Sequence, residues 1–122
     1  MNPEMLHFEL TGQDQFALAR LDGLVSLDAW GVVLESLATA LATSTAPPRL
    51  VLDMTAVVGY LGTPERTAVG GLMARHFAAM EKVALVVQAY KITEVVYAEA
   101  QKNGLNLRLF PKYDDAVAWV TS

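Results

Sequence analysis

The chain has 122 residues, a net charge of −4 and no cysteine. That length is about one ordinary domain, and it can bury roughly two-thirds of the surface its unfolded form exposes, so no disulfide or metal is needed to hold a core. The missing cysteine excludes disulfides, zinc–thiolate sites and thiol chemistry. Nine basic against thirteen acidic residues, with no two basic residues adjacent, leave no electrostatic footprint for nucleic acid.

Apolar residues make up 53% of the chain and charged residues 18%, against a usual apolar share of about 45–50% with glycine counted. So few charges point to a covered surface: self-association as a homodimer, or a bound partner. A small domain rich in alanine and valine accounts for the composition equally well. The apolar runs fall far short of the ~20 residues of a membrane helix, so no stable membrane insertion is expected. Met1 to Leu10 contains acidic residues and no continuous apolar block, and does not read as a secretory signal. A cytoplasmic location is the expectation.

Leu6, Phe8 and Leu10 alternate with His7 and Glu9, which predicts a strand. Thr11-Gly12-Gln13-Asp14 is a turn cluster, and Gln15 to Leu21 reads as the second strand of an antiparallel hairpin, with Phe16 and Leu18 on one face. Asp22-Gly23 closes it. Leu27, Trp30, Leu34, Leu37 and Leu41 then step by three and four and form one helical stripe, with Ser26 as N-cap and Asp28 in the first turn. Pro47-Pro48 ends that segment. Arg49 to Met54 reads as a central strand, and Thr55 to Pro64 as a loop broken by Gly59 and Gly62.

A second helix starts near Thr63-Pro64-Glu65, with threonine as cap, proline at the first helical position and glutamate at the positive end of the dipole. Val69, Leu72, Met73, His76, Phe77 and Met80 lie on one side of it. Gly70-Gly71 inside a helix costs about 1 kcal/mol per glycine relative to alanine, and close backbone approach to a neighbouring element is one cause that would explain it. Val83 to Gln88 is continuously apolar up to its glutamine, as in a parallel strand covered on both faces. Ile92, Val95, Val96 and Glu99 mark a third helix, stopped by Asn103-Gly104. Leu105, Leu107 and Leu109 give a half-exposed edge strand. Tyr113 to Val120 gives a last short helix, with Asp114 and Asp115 opposing its dipole. The order is ββαβαβαβα: one α/β domain over 1–122, with a mixed, mostly parallel sheet of about five strands and four helices.

This order resembles a STAS domain, the fold of bacterial anti-sigma-factor antagonists. Leu50-Val51-Leu52-Asp53-Met54-Thr55-Ala56-Val57 resembles the family's strand ending in an aspartate followed by a small hydroxyl residue. Val83 to Val87, then Asn106-Leu107-Arg108-Leu109-Phe110 and the ending Asp114 to Val120, are similar to SpoIIAA-like proteins of unknown function. The likeness spans almost the whole chain. It implies a regulatory domain that works through protein contacts. Family members that act as phospho-switches carry an Asp-Ser-Ser-Gly-like signature at the second helix. Here the matching region is Leu61-Gly62-Thr63-Pro64-Glu65, and Thr63 is the only hydroxyl near the phospho-acceptor position. That departure speaks against the switch and against a partner kinase.

The candidate partner- or ligand-binding residues are Asp53, Thr55, Val58, Tyr60, Leu61 and Thr63. They follow the central strand, at the end where open α/β sheets bind ligands. The segment Val57-Val58-Gly59-Tyr60-Leu61 is apolar where loops are normally polar. It either meets a partner, a dimer mate or a lipid, or tucks under the second helix. Thr63 is either a phospho-acceptor or a plain N-cap beside Glu65. Asp53 is an acid, a base, a cation ligand, or the cap of the following loop; the cap is preferred. His76 reads as a core or boundary histidine, and neither it nor His7 has metal-ligand spacing, so no metal is expected. Nucleophile, Walker and dinucleotide motifs are missing, and no cofactor or catalytic residue is assigned.

Three functions follow in order of preference. The first is a non-enzymatic, cytoplasmic, bacterial interaction domain, self-associating, with its contacts near 55–65. The second is a carrier of a small apolar molecule or lipid, which requires a deep pocket beneath the Trp30 helix and the 57–61 segment. The third is an enzyme, which requires polar side chains converging on Asp53 in a cleft.

Overall fold

The structure, a computed structural model, describes residues 6–88 and 94–122. Strands β1 (His7–Gly12), β2 (Ala17–Leu24), β3 (Arg49–Val58), β4 (Lys82–Val86) and β5 (Leu107–Phe110) alternate with helices α1 (Leu27–Ala42), α2 (Thr63–His76), α3 (Glu94–Lys102) and α4 (Tyr113–Val120) after the opening hairpin. The sheet order is β1-β2-β3-β4-β5, antiparallel between β1 and β2 and parallel elsewhere. The mixed, mostly parallel sheet is therefore as the sequence predicts.

Strand alternation divides the core in two. Ala17, Ala19, Leu21, Leu50, Leu52, Val83, Leu85 and Leu107 face the larger cluster, which holds Trp30, Leu34 and Leu37 of α1, Val69 and Met73 of α2, and Ala100 of α3. Phe16, Leu18, Val51, Ala84 and Val86 face the other way and are covered by Ala116 and Val120 of α4. Buried alternately on both faces, β3 and β4 read as continuous apolar runs. The predicted α1 stripe is buried at Trp30, Leu34 and Leu37 and half-buried at Leu27 and Leu41. Ser26 is its N-cap, accepting a hydrogen bond of 3.1 Å from the Ala29 N–H.

Gly70 explains one of the two helix-interior glycines. A Cβ there would lie 2.7 Å from the Val96 carbonyl oxygen and 2.8 Å from the Glu99 Cβ, so α2 and α3 approach to backbone contact. Gly71 has open space around its position, and nothing in the core requires it.

Several boundaries differ from the sequence reading. Strand β2 begins at Ala17 and does not close at Asp22-Gly23; Asp22, Gly23 and Leu24 pair with Ala56, Val57 and Val58. Strand β3 accordingly runs to Val58, so only the segment after it is loop. The cap of α2 is Gly62, and Thr63 is the first helical residue. Strand β5 begins at Leu107, with Leu105 buried ahead of it. Ile92 lies outside the described residues.

Candidate functional site

Asp53 and Thr55 sit where β3 changes face. Arg20 pairs with Asp53 and Asp22 with Ala56, so two steps along β2 match three along β3. The additional residue is a β-bulge, which disrupts the ladder and re-aims the side chains beyond it. Side chains satisfy the displaced backbone. The Thr55 N–H and hydroxyl donate to Asp53 Oδ1 at 3.0 and 2.8 Å, and Gln88 Nε2 donates to the Thr55 carbonyl at 2.6 Å. Arg20 Nε lies 3.8 Å from Asp53 Oδ2. Asp53 thus caps the backbone two residues on, inside the strand rather than in a loop after it.

The bulge shifts the alternation by one. Before it, Leu52 faces the large cluster; beyond it, Val57 does. Val58 is therefore turned outward and is 57% exposed, next to its register partner Leu24 at 42%. In-register neighbours on adjacent strands share a face. Tyr60 follows at 69% exposure. Gly59 links them with φ +99°, and a Cβ there would meet Val25 Cγ1 at 3.0 Å and Leu24 Cδ1 at 3.2 Å. Leu24 and Val58 thus form an outward apolar pair beside a turn that only glycine fits well, and exposed Tyr60 follows that turn in the chain. Leu61 turns back and packs, half-buried, against the large cluster.

Behind this turn lies a cavity of about 140 Å³. It is bounded by Val25 and Trp30 from the α1 side, Met54 and Val57 from β3, Val69 and Met73 from α2, Leu85 and Val87 at β4, Val96 from α3 and Leu109 from β5. Gly59, Tyr60 and Leu61 complete the wall beside the patch. It opens at the carboxyl ends of the parallel strands, the usual ligand position in open α/β sheets. Among the described residues, Arg66 and Gln88 also line it, beside the indole of Trp30 and the phenol of Tyr60. The sequence reading passed over Arg66 and Gln88. Arg66 stands three and seven residues before Val69 and Met73 on the buried stripe of α2, so a cation on an apolar stripe was the available signal.

Thr63 is exposed in the first turn of α2, and its carbonyl accepts from the Thr67 hydroxyl at 3.0 Å. The Glu65 carboxylate comes back over the same helix end: a Cβ on Gly62 would lie 2.8 Å from Glu65 Oε1. His76 is half-buried in the last turn of α2. His7 lies 3.6 Å from Asp22 on the exposed surface of the hairpin. That surface carries Arg20 and Asp53 as a second pair, with the Glu9 carboxylate in the same shallow depression. Asp114 and Asp115 occupy the first turn of α4, as expected. Among the described residues, no group of three or more His, Asp or Glu side chains is placed to hold a metal ion. No helix among them is long and apolar enough to cross a membrane.

Two solved structures share this architecture. An anti-sigma factor antagonist from Mycobacterium paratuberculosis superposes with a TM-score of 0.70 at 18% identity, covering 99% of this chain and 98% of its own. An uncharacterised protein with a SpoIIAA-like fold from Shewanella loihica PV-4 gives 0.59 at 19% identity, covering 98% and 97%. No family model matches the sequence, and no curated protein does. The likeness runs through nearly the whole of each chain and establishes the SpoIIAA-like fold to which the order of elements pointed.

Proposed function

We propose that this chain is a non-enzymatic regulatory domain that acts by protein contact in the bacterial cytoplasm, and that it docks through the patch of Leu24, Val58 and Tyr60. One observation carries this reading. The Thr55 bulge turns Val58 out of the core beside Leu24, so large apolar side chains face solvent at the carboxyl end of the sheet. Apolar side chains gathered at one place on a surface mark an interaction site more often than scattered ones do. The fold shared with an anti-sigma factor antagonist supports the same class of function. Fold alone does not carry function, so the weight rests on the patch.

In this reading Asp53 and Thr55 are positioning residues that hold the bulge. Leu61 anchors the turn from inside. A phosphate on Thr63 would stand against the Glu65 carboxylate, so contact without phosphorylation is the reading adopted. The partner is another protein or a second copy of the chain. The cavity favours a second reading, a carrier of a small apolar molecule; about 140 Å³ is too little for a long lipid chain.

The test is affinity capture from the native lysate with the wild type and with a Val58→Glu, Tyr60→Glu double variant, alongside sedimentation of each. A specific partner or dimer present for the wild type and absent for a folded double variant supports the proposal. Equal capture by both forms removes the patch from the account.

A further inference from the structure

We infer that the groove between α1 and α2 is the face on which a second copy of this chain docks, about a two-fold axis through the groove. This goes beyond the docking patch and does not use it: Leu24, Val58 and Tyr60 lie outside the groove's lining. Two helix-interior glycines open onto the groove, Gly31 of α1 and Gly71 of α2. Each costs about 1 kcal/mol relative to alanine. The fold itself uses neither, since a Cβ at either position would meet nothing within 4 Å. Glycines placed this way let another backbone come close. Beside them stand Val32, 51% exposed, and half-buried Leu72. The floor of the groove is therefore apolar, with room over the glycines for the side chains of a facing helix.

The charges on the rims select the occupant. Asp28 and Glu35 stand on the α1 rim and Arg75 on the α2 rim. All three are exposed, and among the described residues none of them forms an ion pair. Strand β2 pairs parallel with β3, and β3 with β4, so α1 and α2 both run back against the strands and are parallel to each other. A two-fold axis midway between Gly31 and Gly71 lays α1 of each copy antiparallel over α2 of the other, with glycine over glycine. Asp28 comes three residues before Gly31 and Arg75 four residues after Gly71, which is about 4.5 and 6 Å along an α-helix. Asp28 of each copy thus comes opposite Arg75 of the other, and both pairs form at once, as an isologous interface requires. A partner carrying only one sign of charge would leave one rim unmatched. Helix α1 has 16 residues and α2 has 14, so each is roughly 20–25 Å long, and side by side they span about 20 Å. The shared face is then roughly 400–500 Å² per copy, the small end of specific interfaces, and the dimer should be weak.

Sedimentation equilibrium of the full chain, from about 5 to about 500 µM, tests this. The expected result is a reversible dimer with a Kd on the order of 10–100 µM. Asp28→Arg and Arg75→Glu each place like charges opposite one another, and each should raise that Kd at least about tenfold. An equimolar mixture of the two variants restores both opposite-sign pairs and should associate within about threefold of the wild type. Gly71→Leu fills the groove and should abolish the dimer, while its urea midpoint stays at or above that of the wild type because leucine favours a helix over glycine. The Val58→Glu, Tyr60→Glu variant should dimerise as the wild type does. A wild type that stays monomeric at the highest concentration overturns the inference and leaves the docking patch untouched. A dimer that survives both charge reversals, or a mixture that associates no better than either variant alone, overturns it too. If the Val58→Glu, Tyr60→Glu variant is instead the one that loses the dimer, self-association belongs to the patch and the groove is removed from the account.

Discussion

Gly70 and Gly71 are adjacent in α2, yet alanine should move stability in opposite directions at the two positions. Glycine to alanine in a helix interior gains about 1 kcal/mol from backbone entropy alone. At Gly71 a new Cβ meets nothing within 4 Å, so Gly71→Ala should stabilise by about that amount. At Gly70 the new Cβ would lie 2.7 Å from the Val96 carbonyl oxygen, 2.8 Å from the Glu99 Cβ and 3.3 Å from the Ala100 N. Two of those atoms are backbone of α3 and cannot rotate away. Overpacking of this kind costs about 1–3 kcal/mol or more, and here α3 must move as a body. Setting about 3 kcal/mol of strain against about 1 kcal/mol of propensity leaves Gly70→Ala destabilised by ~2 kcal/mol. Urea unfolding at constant m-value reads the difference directly. For a chain of this size the thermal midpoints should move by roughly 3–5 °C per kcal/mol, up for Gly71→Ala and down for Gly70→Ala. A Gly70→Ala protein as stable as the wild type would refute the close contact between α2 and α3.

Four further substitutions probe the elements that set the site. Asp53→Ala removes the acceptor for the Thr55 N–H and hydroxyl and should cost about 1–2 kcal/mol in urea unfolding; no loss would mean that the bulge holds without it. Val58→Glu, outward on the patch, should change stability by less than about 1 kcal/mol, whereas Leu61→Glu, packed on the large cluster, should cost about 2–3 kcal/mol; thermal melts showing equal losses would contradict the inward and outward assignment. Ser26→Ala, at the N-cap of α1, should cost about 1 kcal/mol, read as a lower urea midpoint with unchanged m-value.

The parts of the fold legible in the sequence were those written in local periodicity. The Trp30–Leu34–Leu37 stripe, the Ser26 cap and the continuous run Val83 to Val87 each follow from residues close in the chain. The bulge was not legible, because register belongs to two strands at once. Nothing in Met54-Thr55-Ala56 alone says that β2 will continue through Asp22, Gly23 and Leu24 to pair with it. The same blindness turned the end of β3 into a loop. Thr63 looked like a cap because threonine caps well, but the helix begins one residue earlier, with Gly62 as the extended cap and no side-chain cap bond, and Pro64 fits as readily at the second helical position as at the first. Arg66 and Gln88 stayed hidden for a different reason. They come from α2 and from the segment just after β4, and only the closed sheet brings them to one cavity.

The most direct test of the docking patch is amide hydrogen exchange on the protein with and without the partner that capture recovers. Protection should appear at residues 22–25 and 56–62, the backbone that carries Leu24, Val58 and Tyr60. Protection confined to the surface where α1 and α2 meet, around Gly31, Val32, Ala68 and Leu72, with 56–62 exchanging as in the free protein, would contradict the account.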